Sequence, residues 1–177
     1  MIESIKSLTG TILLKIIISH TNTDFDALAS MIAAQKLHPD ATVVITPKQS
    51  MLVEQFLSIY RDTFKLVIDS TVDWEQVTEM IVVDVASLKR LGNYAAKLEL
   101  DNVKVSIYDH HPTTENNMVA DYEQIEEIGA TVTMLIEEII DKDIAISSLE
   151  ATLLGLGIYT DTGSFTFPNT KWRSLDG

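Results

Sequence analysis

Three stretches rich in β-branched and other apolar residues each close on an acid or a histidine. Residues 12–18, broken only by Lys15, lead to His20, Asp24 and Asp26. Residues 80–83 lead to Asp84, and residues 103–108 lead to Asp109, His110 and His111. The first two stretches are apolar at successive positions, which marks strands buried on both faces, the condition of a parallel sheet enclosed between helical layers. Strands that run parallel end along one edge, so residues that follow them can meet there however far apart they stand in the chain. Asp161, directly after the apolar-rich residues 153–160, is a fourth candidate for that edge.

Two more strands are expected over 41–46 and 64–68, giving five. Helices are expected over 26–37, 49–59, 88–100, 128–140 and 147–159. In the first, Ala27, Leu28, Met31, Ile32, Ala34 and Leu37 recur near the helical period, and Pro39-Asp40 ends it. Ser147 or Ser148 is placed to cap the last helix, with Glu150 in its first turn. Residues 69–73 and 112–122 read as loops, and 164–167 as a short extended stretch. The alternation predicts an α/β three-layer domain with a mainly parallel five-stranded sheet flanked by helices.

A length of 177 residues fits one domain, and 46% hydrophobic residues suffice for its core. There is no run of 18 uninterrupted apolar residues and no signal-peptide pattern at the start, so no membrane span is expected. The absence of cysteine excludes disulfides, thiolate nucleophiles and Cys-based zinc sites, and suits a cytoplasmic protein. Thirteen basic residues against 26 acidic ones leave a formal charge of -13, a poor match for long duplex DNA. Two divalent cations held by the clustered acids would make the potential locally positive while the outer surface stays negative. A phosphorylated small molecule or a short single-stranded oligonucleotide fits that pattern.

Each candidate residue also has a plainer explanation. Asp24 and Asp26 could fan toward adjacent metal ions with His20, or one of them could simply cap the following helix. Asp84 could bridge two ions through its two oxygens, or be a surface acid in a strand-to-helix turn. His110 and His111 cannot point the same way from extended backbone, which suggests one ring on metal and one on substrate phosphate. Asp109 would then orient a ring through its other nitrogen. The plain alternative is an exposed histidine pair. Gly163 permits a tight turn that could deliver Asp161. Carboxylates suit hard divalent ions, and imidazole shifts the preference toward manganese, iron or zinc. Phe165 and Phe167 read as packing residues.

The ordered set of motifs resembles the DHH phosphoesterase superfamily. The motifs are Ser19-His20-Thr21-Asn22-Thr23-Asp24-Phe25-Asp26-Ala27, Val83-Asp84-Val85-Ala86-Ser87, Asp109-His110-His111-Pro112, and Tyr159-Thr160-Asp161-Thr162-Gly163-Ser164-Phe165. The resemblance implies two divalent ions, usually manganese. The first would be held by His20, Asp24 and Asp84, and the second by Asp26, Asp84, His110 and Asp161. His111 would contact substrate phosphate and Asp109 would support the histidines, making Asp84, His111 and Asp109 the expected catalytic residues. The implied activity is hydrolysis of a phosphodiester or phosphoanhydride in a nucleotide or short oligonucleotide. The alternative is a nucleotide-binding regulatory module without efficient catalysis.

The run from Gly163 to Pro168 most resembles the version that continues into paired CBS domains and a tRNA nucleotidyltransferase or poly(A) polymerase-like module. Family enzymes carry a smaller second domain after the fourth motif. Residues 1–167 are therefore expected to be the N-terminal catalytic domain. Residues 168–177 would begin a linker to that missing C-terminal domain, without which the chain is expected to bind metal but to select and turn over substrate poorly.

Overall fold

The computed structural model describes residues 14–92, 94, 102–168 and 170. Its strands are Leu14–Ile18 (β1), Thr42–Ile45 (β2), Leu66–Ile68 (β3), Val77–Val83 (β4), Lys104–Asp109 (β5) and Tyr122–Ile125 (β6). Its longer helices are Phe25–Leu37 (α1), Met51–Tyr60 (α2), Thr131–Asp141 (α3) and Ser148–Asp161 (α4). The strands form one sheet in the order β3-β2-β1-β4-β5-β6, with every neighbouring pair parallel.

The strand residues sort by parity, as the pleat requires. Ile17, Val43, Ile45, Ile81, Val83 and Tyr108 face one layer, where they pack with α1, α2, α3 and α4. Ile16, Ile18, Val44, Met80, Val82, Val105 and Ile107 face the other, covered by Trp74, Leu91, Tyr94 and Met118. Both faces of the central strands are thus out of water, which is why their sequences run apolar without alternation. Helix α1 is buried nearly all round. Its alanines keep it slim enough for α4 to cross closely: a Cβ on Gly157 of α4 would lie 2.8 Å from the Ala29 Cβ.

The three-layer α/β architecture matches the expectation, with three corrections. The sheet has six strands, not five. The sixth, Tyr-Glu-Gln-Ile, is short, lies at the sheet edge and is only partly covered, so it lacks an apolar run. The helix expected over 88–100 starts as a 3₁₀ turn, Leu88–Leu91, closed by Gly92 at φ 59°. Residues 93 and 95–100 of that expectation lie outside the described residues, as do residues 12 and 13 of the first strand. The extended stretch expected over 164–167 is a compact turn, because Gly163, Ser164 and Phe165 all have positive φ. Phe165 packs edge-on against Tyr159, and both Phe165 and Phe167 stay substantially exposed.

Candidate metal centre

The reversal of strand order puts β1 and β4 side by side, with connections leaving them in opposite directions. Ligand crevices of open parallel sheets lie at such a reversal, beyond the carboxyl ends of the strands. His20 lies two residues beyond β1, and Asp84 directly follows β4. The Ser19 hydroxyl ties the two strand ends together by donating to the Val83 carbonyl at 2.7 Å. Asp109 ends β5 beside them, with His110 and His111 immediately after.

Asp84 is the pivot. Its φ of 60° is left-handed, a conformation that costs a non-glycine residue about 1–3 kcal/mol and that clusters at functional sites. The strain is held in place by its N–H, which donates to the Tyr108 carbonyl at 2.8 Å. The carboxylate is buried and its two oxygens face different partners. Oδ2 lies 3.3 Å from His20 Nε2. Oδ1 lies 3.4 Å from His110 Nε2 and accepts from the Thr131 hydroxyl at 3.0 Å.

Asp24 and Asp26 divide two tasks. Asp24 is the N-cap of α1, and its Oδ1 accepts from the Ala27 N–H at 3.0 Å. Its Oδ2 stands 3.6 Å from His20 Nε2. The helix-cap explanation and a place at the cluster therefore both hold for this residue. Asp26, in the first turn of α1 and buried, accepts from the Thr131 and Val132 N–H groups at 2.7 and 3.0 Å. It thereby caps α3 from 105 residues away, where the N-cap residue Ala130 has no side chain to do so. The Ser30 hydroxyl donates to the same carboxylate.

The histidines are pre-set by their second nitrogens. A carbonyl oxygen only accepts, so His20 Nδ1 donates to Thr21 O at 2.9 Å and His110 Nδ1 to Ile128 O at 3.0 Å. Each ring then turns its Nε2 toward the carboxylates, the arrangement that fixes a metal-binding tautomer. His110 Nε2 lies 3.2 Å from Asp161 and 4.0 Å from Asp26. The His111 ring sits at 60° to the His110 ring, with its Nδ1 2.7 Å from the Asp109 carboxylate and its outer side open to solvent. Asp161, the last residue of α4, reaches the cluster because α4 crosses α1 closely at Gly157.

Charge at this edge is unbalanced. Burial raises Asp26 well above the usual carboxylate range, and the charges of Asp84 and Asp161 push it further. Burial, reinforced by Asp84 and Asp24, lifts Asp161 to about 6. Burial alone would lower His20, but Asp24 and Asp84 outweigh it and raise the imidazole to about 10. Burial works against Asp109 too, yet its hydrogen bonds from His111 hold it below the ordinary value. His111 is raised in return, first by that same hydrogen bond.

The residues fit divalent cations. Their donor atoms form three groups: His20, Asp24 and Asp84; Asp26, His110 and Asp161; and Asp84, His110 and His111. Within each group all lie within 4.8 Å of one another. Buried His20 Nε2 has no hydrogen-bond partner although two carboxylates flank it. A cation would satisfy that nitrogen and relieve the repulsion among the acids. The cluster can hold one or two divalent ions. It includes every metal candidate singled out from the sequence, with Asp109 behind His111. His38 is elsewhere, 3.3 Å from Lys15 Nζ.

Sequence reasoning missed Thr131, which bonds Asp84, and Arg90, whose guanidinium stands 3.2 Å from His111 Nε2. Neither carries a motif signal, since each is placed by tertiary contacts alone.

The profile of the DHH family, N-terminal domain, matches residues 15–158. The A-adding tRNA nucleotidyltransferase of Geobacter sulfurreducens is 35% identical over 156 residues, 88% of this chain and 18% of that protein. The protein of the same name from Aquifex aeolicus is 34% identical over 161 residues, 90% of this chain and 18% of that one. The chain thus spans about a fifth of the length of these curated relatives. An exopolyphosphatase-related protein from Bacteroides fragilis shares the fold, with a TM-score of 0.70 at 20% identity, covering 93% of this chain and 52% of that one.

Proposed function

The chain belongs to the DHH family, and from that membership we propose that it hydrolyses a phosphodiester or phosphoanhydride bond with the help of two divalent metal ions. The observation that carries the reading is Asp84, whose two oxygens face His20 on one side and His110 on the other. His20, Asp24 and Asp84 would hold one ion, and Asp26, Asp84, His110 and Asp161 the other. Manganese suits this mixture of carboxylate and imidazole, and magnesium is the main competitor. Such ions, when bound, bring the pKa of water toward neutrality and offset charge on phosphoryl oxygens. Asp109 holds Nδ1 of His111, so the opposite edge of that ring can meet substrate phosphate from the solvent side. Thr131 and the α3 N–H groups keep Asp84 and Asp26 in place.

The substrate proposed is a nucleotide or short single-stranded oligonucleotide. The formal charge of -13 favours a small anion over a long duplex. In the whole protein, residues 1–167 would form the metal-binding domain and 168–177 would lead into a further domain that closes over the crevice. The likeness to A-adding tRNA nucleotidyltransferases supports a place beside a nucleotidyltransferase module; intervening CBS domains and a cytoplasmic role in RNA metabolism are further parts of the proposal. The same likeness favours a second reading, in which this domain senses a nucleotide while chemistry occurs elsewhere in the polypeptide.

Asp84→Asn in the manganese-loaded protein tests the first reading. It should lose at least one of two bound ions, and hydrolysis of pyrophosphate or a dinucleotide should fall on the order of a hundredfold or more, the usual loss when a group offsetting transition-state charge is removed. Full loading with two ions in the variant would reject the shared-acid geometry. Nucleotide binding without hydrolysis in the full-length protein would support the sensing role.

A further inference from the structure

Arg90 lies in the 3₁₀ turn that follows β4, outside the motifs and in none of the three donor groups. Its backbone is nevertheless fastened to the crevice. The Thr21 N–H donates to the Arg90 carbonyl at 3.2 Å, so this turn is anchored to the residue after His20. Gly92 makes the fastening feasible: it adopts φ 59°, and a Cβ there would come within 2.8 Å of Thr21 Cγ2. The turn is thus pressed against the loop that carries His20 and Asp24.

From this anchored position the guanidinium reaches the open side of His111. Nη1 stands 3.2 Å from His111 Nε2. The other nitrogen, Nδ1, is 2.7 Å from an Asp109 carboxylate oxygen, which can only accept, so the ring hydrogen belongs on Nδ1. Nε2 then offers a lone pair, and Arg90, a pure donor, fills it. The same edge of His111 is the one that would face substrate phosphate under the proposed function, on which this inference rests.

We propose that Arg90 is a substrate-binding residue that turns its donors from His111 Nε2 to the non-bridging oxygens of the phosphoryl group. A guanidinium presents paired N–H donors in a plane and matches two oxygens of a phosphate better than an ammonium does. In the free site the imidazole occupies those donors. An anion replaces a neutral acceptor with a charged one, so the exchange favours bound substrate. Arg90 holds the entrance in a donor-ready state without contributing to the metal ligands.

The test uses the full chain loaded with manganese and inorganic phosphate as the probe. Metal stoichiometry and phosphate affinity are measured for wild type, Arg90→Gln and Arg90→Lys. The inference predicts an unchanged number of bound ions in all three, phosphate affinity at least tenfold weaker in Arg90→Gln, and partial recovery in Arg90→Lys. Phosphate bound equally well by Arg90→Gln with its metal complement intact would overturn the assignment of Arg90 alone. A wild-type chain that takes up no manganese would overturn the metal-centre reading, and this inference with it.

Discussion

Two glycines in one helix allow the positioning of Asp161 to be tested without touching a ligand. At Gly157 an added Cβ would meet the Ala29 Cβ at 2.8 Å, Val132 Cγ1 at 3.2 Å and the Asp26 Cα at 3.3 Å. At Gly155, also within α4, nothing lies within 4 Å. Replacing glycine by alanine in a helix stabilises it by about 0.8–1 kcal/mol, and that gain is common to both sites. Only Gly157→Ala adds overpacking, which costs about 1–3 kcal/mol where neighbours cannot rotate away. Ala29 has no rotamer to change, and the Asp26 Cα is backbone. Gly155→Ala should therefore stabilise the metal-free chain by roughly 0.5–1 kcal/mol. Gly157→Ala should end about 1–3 kcal/mol below it. Urea unfolding in the presence of a chelator measures both, and manganese titration should show weaker binding only in Gly157→Ala, because Asp26 and Asp161 are pushed apart. Equal stabilisation by the two substitutions, with equal metal affinity, would refute the argument that this helix crossing sets the site.

Asp24→Asn separates the two tasks of that residue: asparagine caps a helix about as well as aspartate, so the urea midpoint should hold while manganese binding weakens. An equal loss of both would mean that the carboxylate acts mainly through the fold. The pH response of the metal-free chain follows from His20 and Asp161. Protonated His20 stabilises the fold fully below its unfolded value near 6.5, and that contribution is lost as the pH rises through about 10. Ionised Asp161, held at about 6, adds a penalty that grows as the pH rises from its ordinary range near 3.8 through that value. Stability without metal should thus decline as pH rises, whereas manganese, which displaces these protons, should bind more tightly over the same rise. Thermal melts and titrations at several pH values check this, and an affinity flat from pH 5 to 8 would count against it.

The parts of the site legible in the sequence were those that follow a strand. The apolar stretches announce buried parallel strands, and parallel strands share an edge, so His20, Asp84 and Asp109 are expected together from the sequence alone. Other features depend on contacts between distant segments and leave no period behind. Asp26 capping α3 across 105 residues is one, and the Thr131 hydroxyl on Asp84 is another. Strand β6 was hidden because a partly covered edge strand tolerates Tyr, Glu and Gln. The tight turn at Gly163 is legible from its glycine, but its continuation through Ser164 and Phe165 is not, because positive φ at Ser and Phe is set by surrounding hydrogen bonds rather than by propensity.

Electron paramagnetic resonance of the wild-type chain with added manganese, combined with metal analysis after dialysis, tests the shared role of Asp84 most directly. Two ions bound about 3.5–4 Å apart through a common carboxylate should give a stoichiometry of two and the signature of an exchange-coupled pair. A single ion, or two ions with independent spectra, would contradict it.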